Sequence, residues 1–161
     1  MRSMENEVAG GSAFGVAVKA AIVDGPRLLV LYKTREEALG DPDPDVRADL
    51  PGGRVVFGES PTDALRREVA EETGLEVEVT GPLATWHSVR GRFQLVGIDF
   101  LCEYVAGEVV LSDEHERFAW LTEEEMDRLH PELKSELAGA YRSARFRGRT
   151  RPAPCAVGAD R

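Results

Sequence analysis

An α/β layered domain is the fold class predicted for this 161-residue chain, and three observations predict it. Runs with strand character stand both before and after one well-capped amphipathic helix, a further helical pattern closes the chain, and turn residues separate the runs.

Residues 1–13 read as an N-terminal tail. Residues 14–23 (FGVAVKAAIV) and 27–34 (RLLVLYKT) then read as two strands of a hairpin, joined by the turn Asp24-Gly25-Pro26. Residues 35–49 form a polar loop leading into a short strand before Gly52 and Gly53. Its Asp41, Asp43 and Asp45 have the spacing of the start of a calcium loop. Val46 stands where that loop needs glycine, however, and no glutamate closes it, so a solvated loop or a substrate-side lid is expected there.

Residues 61–73 are expected to be helical. Ser60 is a good N-cap, Pro61 suits the first helical position, Asp63 completes a pair resembling a capping box, and Gly74 stands where a C-cap glycine belongs. Apolar and alternating runs at 75–80, 83–90, 92–104, 107–111 and 118–121 read as strands, with a tight turn over 89–92. Thr122 to Glu125 starts a helix, and a second helical stretch is expected after Pro131, with Leu133, Leu137, Ala140 and Tyr141 as its apolar positions. The folded domain thus spans 14–145, and residues 146–161 are a basic, Pro/Gly-rich tail.

Composition narrows the function. With 42% hydrophobic and 30% charged residues the chain is an ordinary globular one, and a net charge of −9 argues against a nucleic-acid polymer as partner. No apolar run approaches the ~20 residues that cross a bilayer, and the first residues lack the apolar centre of a signal peptide, so a cytoplasmic protein is expected. Cys102 reads as a buried inert thiol and Cys155 lies in the tail, so neither a disulfide nor a zinc site is expected.

The chemistry is concentrated in LPGGRVVFGESPTDALRREVAEETGL, residues 50–75. At ~100° per residue Thr62, Leu65 and Val69 form one stripe of the helix, and Glu68 and Glu72 border it, with Glu71 a little further round. Asp63 and Arg67 are spaced as an i,i+4 pair. Like charges one turn apart beside a low-dielectric boundary are expected to hold a cation or to have raised pKa values, and carboxylate and carbonyl oxygens suit hard ions, Mg²⁺ or Mn²⁺.

Gly53, five residues, Glu59, seven residues, then Arg67-Glu68-Val69-Ala70-Glu71-Glu72-Thr73-Gly74-Leu75 resembles the signature of the Nudix hydrolases at every defined position. The resemblance implies a Nudix-type α/β/α sandwich around a mixed sheet. It also implies hydrolysis of a diphosphate linkage in a nucleoside diphosphate derivative or a nucleoside triphosphate, using a divalent metal. Carried onto this chain, it makes Glu68, Glu71, Glu72 and the Gly52 carbonyl metal ligands, Glu59 a supporting or water-mediated ligand, and Arg67 the group that orients the acids. Glu68 is the first candidate for the general base. A catalytically silent nucleotide-sensing module is the alternative, although loss of catalysis should have damaged acids that are intact here.

Outside that segment the signals are weaker. In residues 111–126 Glu114, His115 and Glu116 are candidates for an extra ligand or the base, His115 because imidazole titrates near neutrality. Surface hydrogen bonding is the alternative for His115, and a core position is expected for Trp120. Arg27, Lys33, Arg35, Arg54, Arg90 and Arg92 are available to hold phosphates, and Tyr32, Trp86 and Phe93 to stack on a base, with Arg35, Arg54, Trp86 and Arg90 the preferred substrate contacts. The expected partner is a small nucleotide, with neither nucleic acid nor membrane, and a homodimer is compatible with the sequence.

Overall fold

A computed structural model describes residues 6–8, 12–39 and 47–130. The loop with Asp41, Asp43 and Asp45, the helical stretch after Pro131 and the tail with Cys155 lie outside the described residues. The elements are β1 (Asn6–Val8), β2 (Ser12–Asp24), β3 (Arg27–Lys33), α1 (Arg35–Ala38), β4 (Ala48–Asp49), α2 (Pro61–Thr73), β5 (Glu76–Arg90), β6 (Phe93–Ala106), β7 (His115–Leu121) and α3 (Glu123–Leu129).

They build one mixed sheet in the order β4-β3-β2-β6-β5, with β7 added on β3 and β1 on β2. β2 and β6 run parallel from Ala13↔Phe93 to Val23↔Glu103, and every other pairing is antiparallel. Strand alternation divides the core in two. On one face Val18, Ala20, Ile22, Leu29, Leu31, Phe100 and Cys102 pack against Ala64, Leu65 and Val69 of α2. On the other, Ala21, Val23, Leu28, Val30 and Leu101 meet Met126 of α3. The expected layering of helices on both faces of a mixed sheet is therefore present.

One departure from a regular sheet positions the site. The hairpin expected from residues 14–34 forms, but β2 and β3 pair only beside its turn, at Val23↔Leu28 and Asp24↔Arg27. Beyond that point the strands part and the chain after β4 fills the gap. Ala20 N–H donates to Pro51 O (2.7 Å), Val18 N–H to Gly53 O (2.9 Å) and Val55 N–H to Val16 O (2.9 Å). The glycine turn is thus stitched into the sheet.

Several expected boundaries change. Asn6–Val8, within the expected tail 1–13, form β1 paired with β2, and β2 itself starts at Ser12. The runs 75–80 and 83–90 form a single strand, β5, which passes Gly81 and Pro82 through irregularities in its register with β6. Residues 107–111 are not a strand. Gly107, at φ 104°, turns the chain across the end of α2, where Val110 N–H donates to Thr73 O (2.9 Å) and Ser112 N–H to Glu72 O (3.3 Å). The last carbonyls of a helix lack partners of their own, and this run supplies them. Residues 35–38, expected as loop, form α1 with Thr34 as N-cap.

Both expected caps of α2 are present: Ser60 Oγ accepts from Asp63 N–H, and Gly74 adopts φ 68°. Asp63, however, pairs with Arg66 (3.6 Å) and not with Arg67. α3 begins with a complete capping box between Thr122 and Glu125. Cys102 is buried, and burial pushes its thiol up to about 12, as suits an inert residue. No helix among the described residues is long and apolar enough to cross a membrane.

Candidate active site

The site begins at the turn between β4 and α2. Gly52 has φ 143°, and a Cβ there would run into the Val18 carbonyl, while a Cβ on Gly53 would occupy the place of the Glu68 carboxylate. Only glycine lets this turn lie between β2 and α2. The close approach allows Gly52 N–H to donate to Glu72 Oε2 at 2.8 Å. Glu72 is buried, and burial pushes its pKa up to about 7 despite that hydrogen bond and the charge of Lys19. The expectation of a raised carboxylate on the edge of the apolar stripe is met at this residue.

Arg67 organises the other acids. Its Nε and Nη2 hold the two oxygens of Glu59 (2.8 and 3.0 Å), its Nη1 reaches Glu68 Oε1 (2.8 Å) and Glu71 Oε2 (3.3 Å), and Nη2 also donates to Arg54 O (3.2 Å). The guanidinium therefore ties the loop before α2 to the acids of α2, in the geometry a planar fork permits. Hydrogen bonds from Arg67 and from Val56 N–H hold the Glu59 carboxyl below its ordinary pKa.

Glu68 and Glu72 open, with Gly52 and Gly53, into a cleft of about 250 Å³. Lys19, Lys33, Asp49, Glu37, Glu114 and His115 complete its lining. His115 is buried, only 7% exposed, with its Nδ1 3.4 Å from Ser112 Oγ. Burial holds its pKa below the usual value, so the imidazole is neutral at neutral pH.

The neighbouring candidates lie elsewhere. Glu116 extends away from the cleft to Arg47 (2.7 Å). Arg54 stacks on the Phe93 ring (5.1 Å), and Arg35 and Arg90 are exposed residues that do not line the cleft. Trp86 lies against Gly97, where a Cβ would overlap its indole, and donates from Nε1 to Asp99 Oδ1 (2.8 Å). Trp120 is partly buried and meets Tyr104 edge-on.

Among the described residues no three carboxylate, imidazole or thiol groups are gathered closely enough to enclose an ion. The donor chemistry nevertheless suits a hard divalent cation. Glu68, Glu72 and the Gly52 carbonyl all line one cleft and offer only oxygen.

Residues 13–143 match the NUDIX domain family. The chain belongs to the Nudix hydrolases. A Mycobacterium tuberculosis protein named "Putative 8-oxo-dGTP diphosphatase 2" is 36% identical over 115 residues, which cover 69% of this Nudix chain and 75% of the relative. The MutT protein of Methanosarcina mazei Go1 shares the fold at a TM-score of 0.65 and 24% identity, covering 86% of this chain and 96% of that one. An ADP-ribose pyrophosphatase from Streptococcus suis shares it at 0.63 and 22%, covering 81% and 92%.

Sequence reasoning missed Lys19, Asp49 and Glu37 as parts of the cleft of this Nudix domain. Lys19 had a signal: it is the one charge in the apolar run FGVAVKAAIV. Asp49 and Glu37 carried none, since each is an ordinary acid in a polar segment.

Proposed function

We propose that this Nudix hydrolase cleaves the phosphoric anhydride bond of a small nucleotide, either a nucleoside diphosphate derivative or a nucleoside triphosphate, with Mg²⁺ or Mn²⁺ as cofactor, in the cytoplasm. One observation carries the reading: carboxylates of α2, ammonium-bearing side chains of β2 and β3, and the glycine turn line a single cleft. That arrangement suits a cation and a phosphate chain side by side.

In this reading Glu68, Glu72 and the Gly52 carbonyl hold the metal, with Glu71 and Glu59 in support. Such an ion, when bound, supplies charge neutralisation on phosphate oxygens and a water of lowered pKa. Arg67 fixes the carboxylates from the side away from the substrate. Glu68 takes the proton of the attacking water, and His115 is the second candidate, because it lines the same cleft as a neutral imidazole. Glu116 ranks below it, being engaged with Arg47. A triphosphate would yield a nucleoside monophosphate and pyrophosphate. A nucleoside diphosphate derivative would yield the monophosphate and a phosphorylated group.

The name of the mycobacterial relative makes an oxidised deoxynucleoside triphosphate the first compound to test. Formation of nucleoside monophosphate from a panel of nucleotides should require Mg²⁺ and be abolished in Glu72→Gln. Binding of nucleotides without turnover, at any metal concentration, would replace the hydrolase by the silent sensing module.

A further inference from the structure

Three strands bring a charge cluster into the lining of the cleft that also holds acids of α2. Asp49 Oδ2, on β4, receives Lys19 Nζ from β2 at 2.7 Å and Lys33 Nζ from β3 at 3.0 Å, while Asp49 Oδ1 accepts Leu50 N–H at 2.8 Å. Both ammonium groups sit on one oxygen, so they are no farther apart than those two bonds laid end to end. Lys19 also donates to Leu50 O (3.1 Å) and Gly52 O (3.4 Å), which brings it beside the turn that carries the acids.

The side chains of Lys19, Lys33 and Asp49 are only 19%, 20% and 21% exposed. Burial alone would raise the Asp49 pKa, but the two lysines outweigh it and hold the carboxyl ionised. A tie between strands needs one lysine for one carboxylate. A second ammonium on the same oxygen adds repulsion between cations, and it places two positive charges in the lining of one cleft. Among the described residues the lining of this cleft is polar or glycine, with the His115 imidazole its one ring, and its volume is below the ~300 Å³ at which whole small-molecule sites begin. It suits the phosphate part of a nucleotide and leaves the base outside.

The geometry points to Lys19 and Lys33 as the clamp on the phosphate chain of the substrate, with Asp49 as the positioning residue that presents both ammonium groups to one chain. The clamp rests on the hydrolase reading and deepens it. Phosphate oxygens entering the cleft meet two charge-assisted donors already oriented, and Asp49 keeps the two cations together before the ligand arrives.

Inorganic pyrophosphate is the probe, titrated calorimetrically into the full chain with and without Mg²⁺. The native protein should bind it with an affinity that falls as salt rises. Lys19→Met and Lys33→Met should each lose roughly tenfold or more, the loss expected for a charge-assisted hydrogen bond. Lys33→Arg should recover part of the loss. Arg66→Met, which removes an exposed cation on α2 outside the cleft, should bind as the native protein does. Asp49→Asn should raise KM for a hydrolysed nucleotide more than it lowers kcat, whereas a purely structural tie would lower melting temperature without that split. If a methionine variant fails to fold, Lys19→Arg and Asp49→Glu carry the same comparison. Absence of pyrophosphate binding in both conditions, or equal binding by native and lysine variants, overturns the clamp. Pyrophosphate binding that tracks the lysines in a chain that hydrolyses no nucleotide upholds the clamp and refutes the hydrolase. Hydrolysis with KM unchanged in the lysine variants refutes the clamp alone.

Discussion

Glu72 is an acid held where its charge is costly, and its environment sets a pH dependence of opposite sign to that of a salt-bridged acid. Its folded pKa of about 7 stands above the ordinary 4.5, so the proton stabilises the fold. That contribution is fully present below pH 4.5 and is lost as pH rises through 7. The metal-free chain should therefore lose on the order of 3 kcal/mol between pH 5 and 8, a slope that Glu72→Gln removes. Mg²⁺ at pH 8 should restore the melting temperature of the native chain and leave that of Glu72→Gln unmoved; equal shifts in the two would remove Glu72 from the ligand set. Beside it, His115 and Glu116 show what a strand conceals. Adjacent residues of β7 face opposite sides, and which side held the cleft depended on a register with β3 that no local pattern reveals. If His115 is the base, the rise of kcat/KM with pH should lie below pH 6.5, because burial depresses its pKa, and should vanish in His115→Ala. Glu116→Gln should keep its rate within a few-fold. A large loss in that variant would reverse the order of the two.

At the scale of elements, α2 was legible because its signals are local: a capping serine, a proline at the first position and a left-handed C-cap glycine, all within the segment itself. The run 107–111 was not, since a strand exists only with a partner, and Val110 N–H, with Ser112 N–H just beyond the run, went to the end of α2 instead. The split of β2 from β3 was equally hidden, for the segment that fills it begins at Pro51, seventeen residues beyond Thr34 on a chain that gives no sign of its return. Lys19, Lys33 and Asp49 meet only because of that split. α2 is also where one side chain fastens an element to its preceding loop. Arg67→Lys keeps the charge but loses the fork that joins Glu59 to Glu68, so turnover should fall about tenfold or more while far-ultraviolet circular dichroism stays native. Undiminished turnover would mean that the fork is dispensable.

Lys19 and Lys33 line one small cleft of a molecule that carries a net charge of −9. The surrounding field thus repels polyanions, and a nucleic acid should show no binding at physiological salt by a gel-shift assay, even where mononucleotides are hydrolysed. Beyond the cleft, β5 closes the sheet order and carries no neighbour on its outer side among the described residues. Fifteen residues of open backbone are a template on which a foreign strand can grow. Proline has no N–H to offer such a strand, and the interruptions at Val79/Gly81 and Pro82/Ala84 bend the ribbon away from the straight line a newcomer needs. What reads as imperfect pairing within one chain is protection against aggregation between chains. Pro82→Val should hold its melting temperature yet self-associate at concentrations where the native protein sediments unchanged, and a variant that sediments like the native protein would assign that protection to the bends alone.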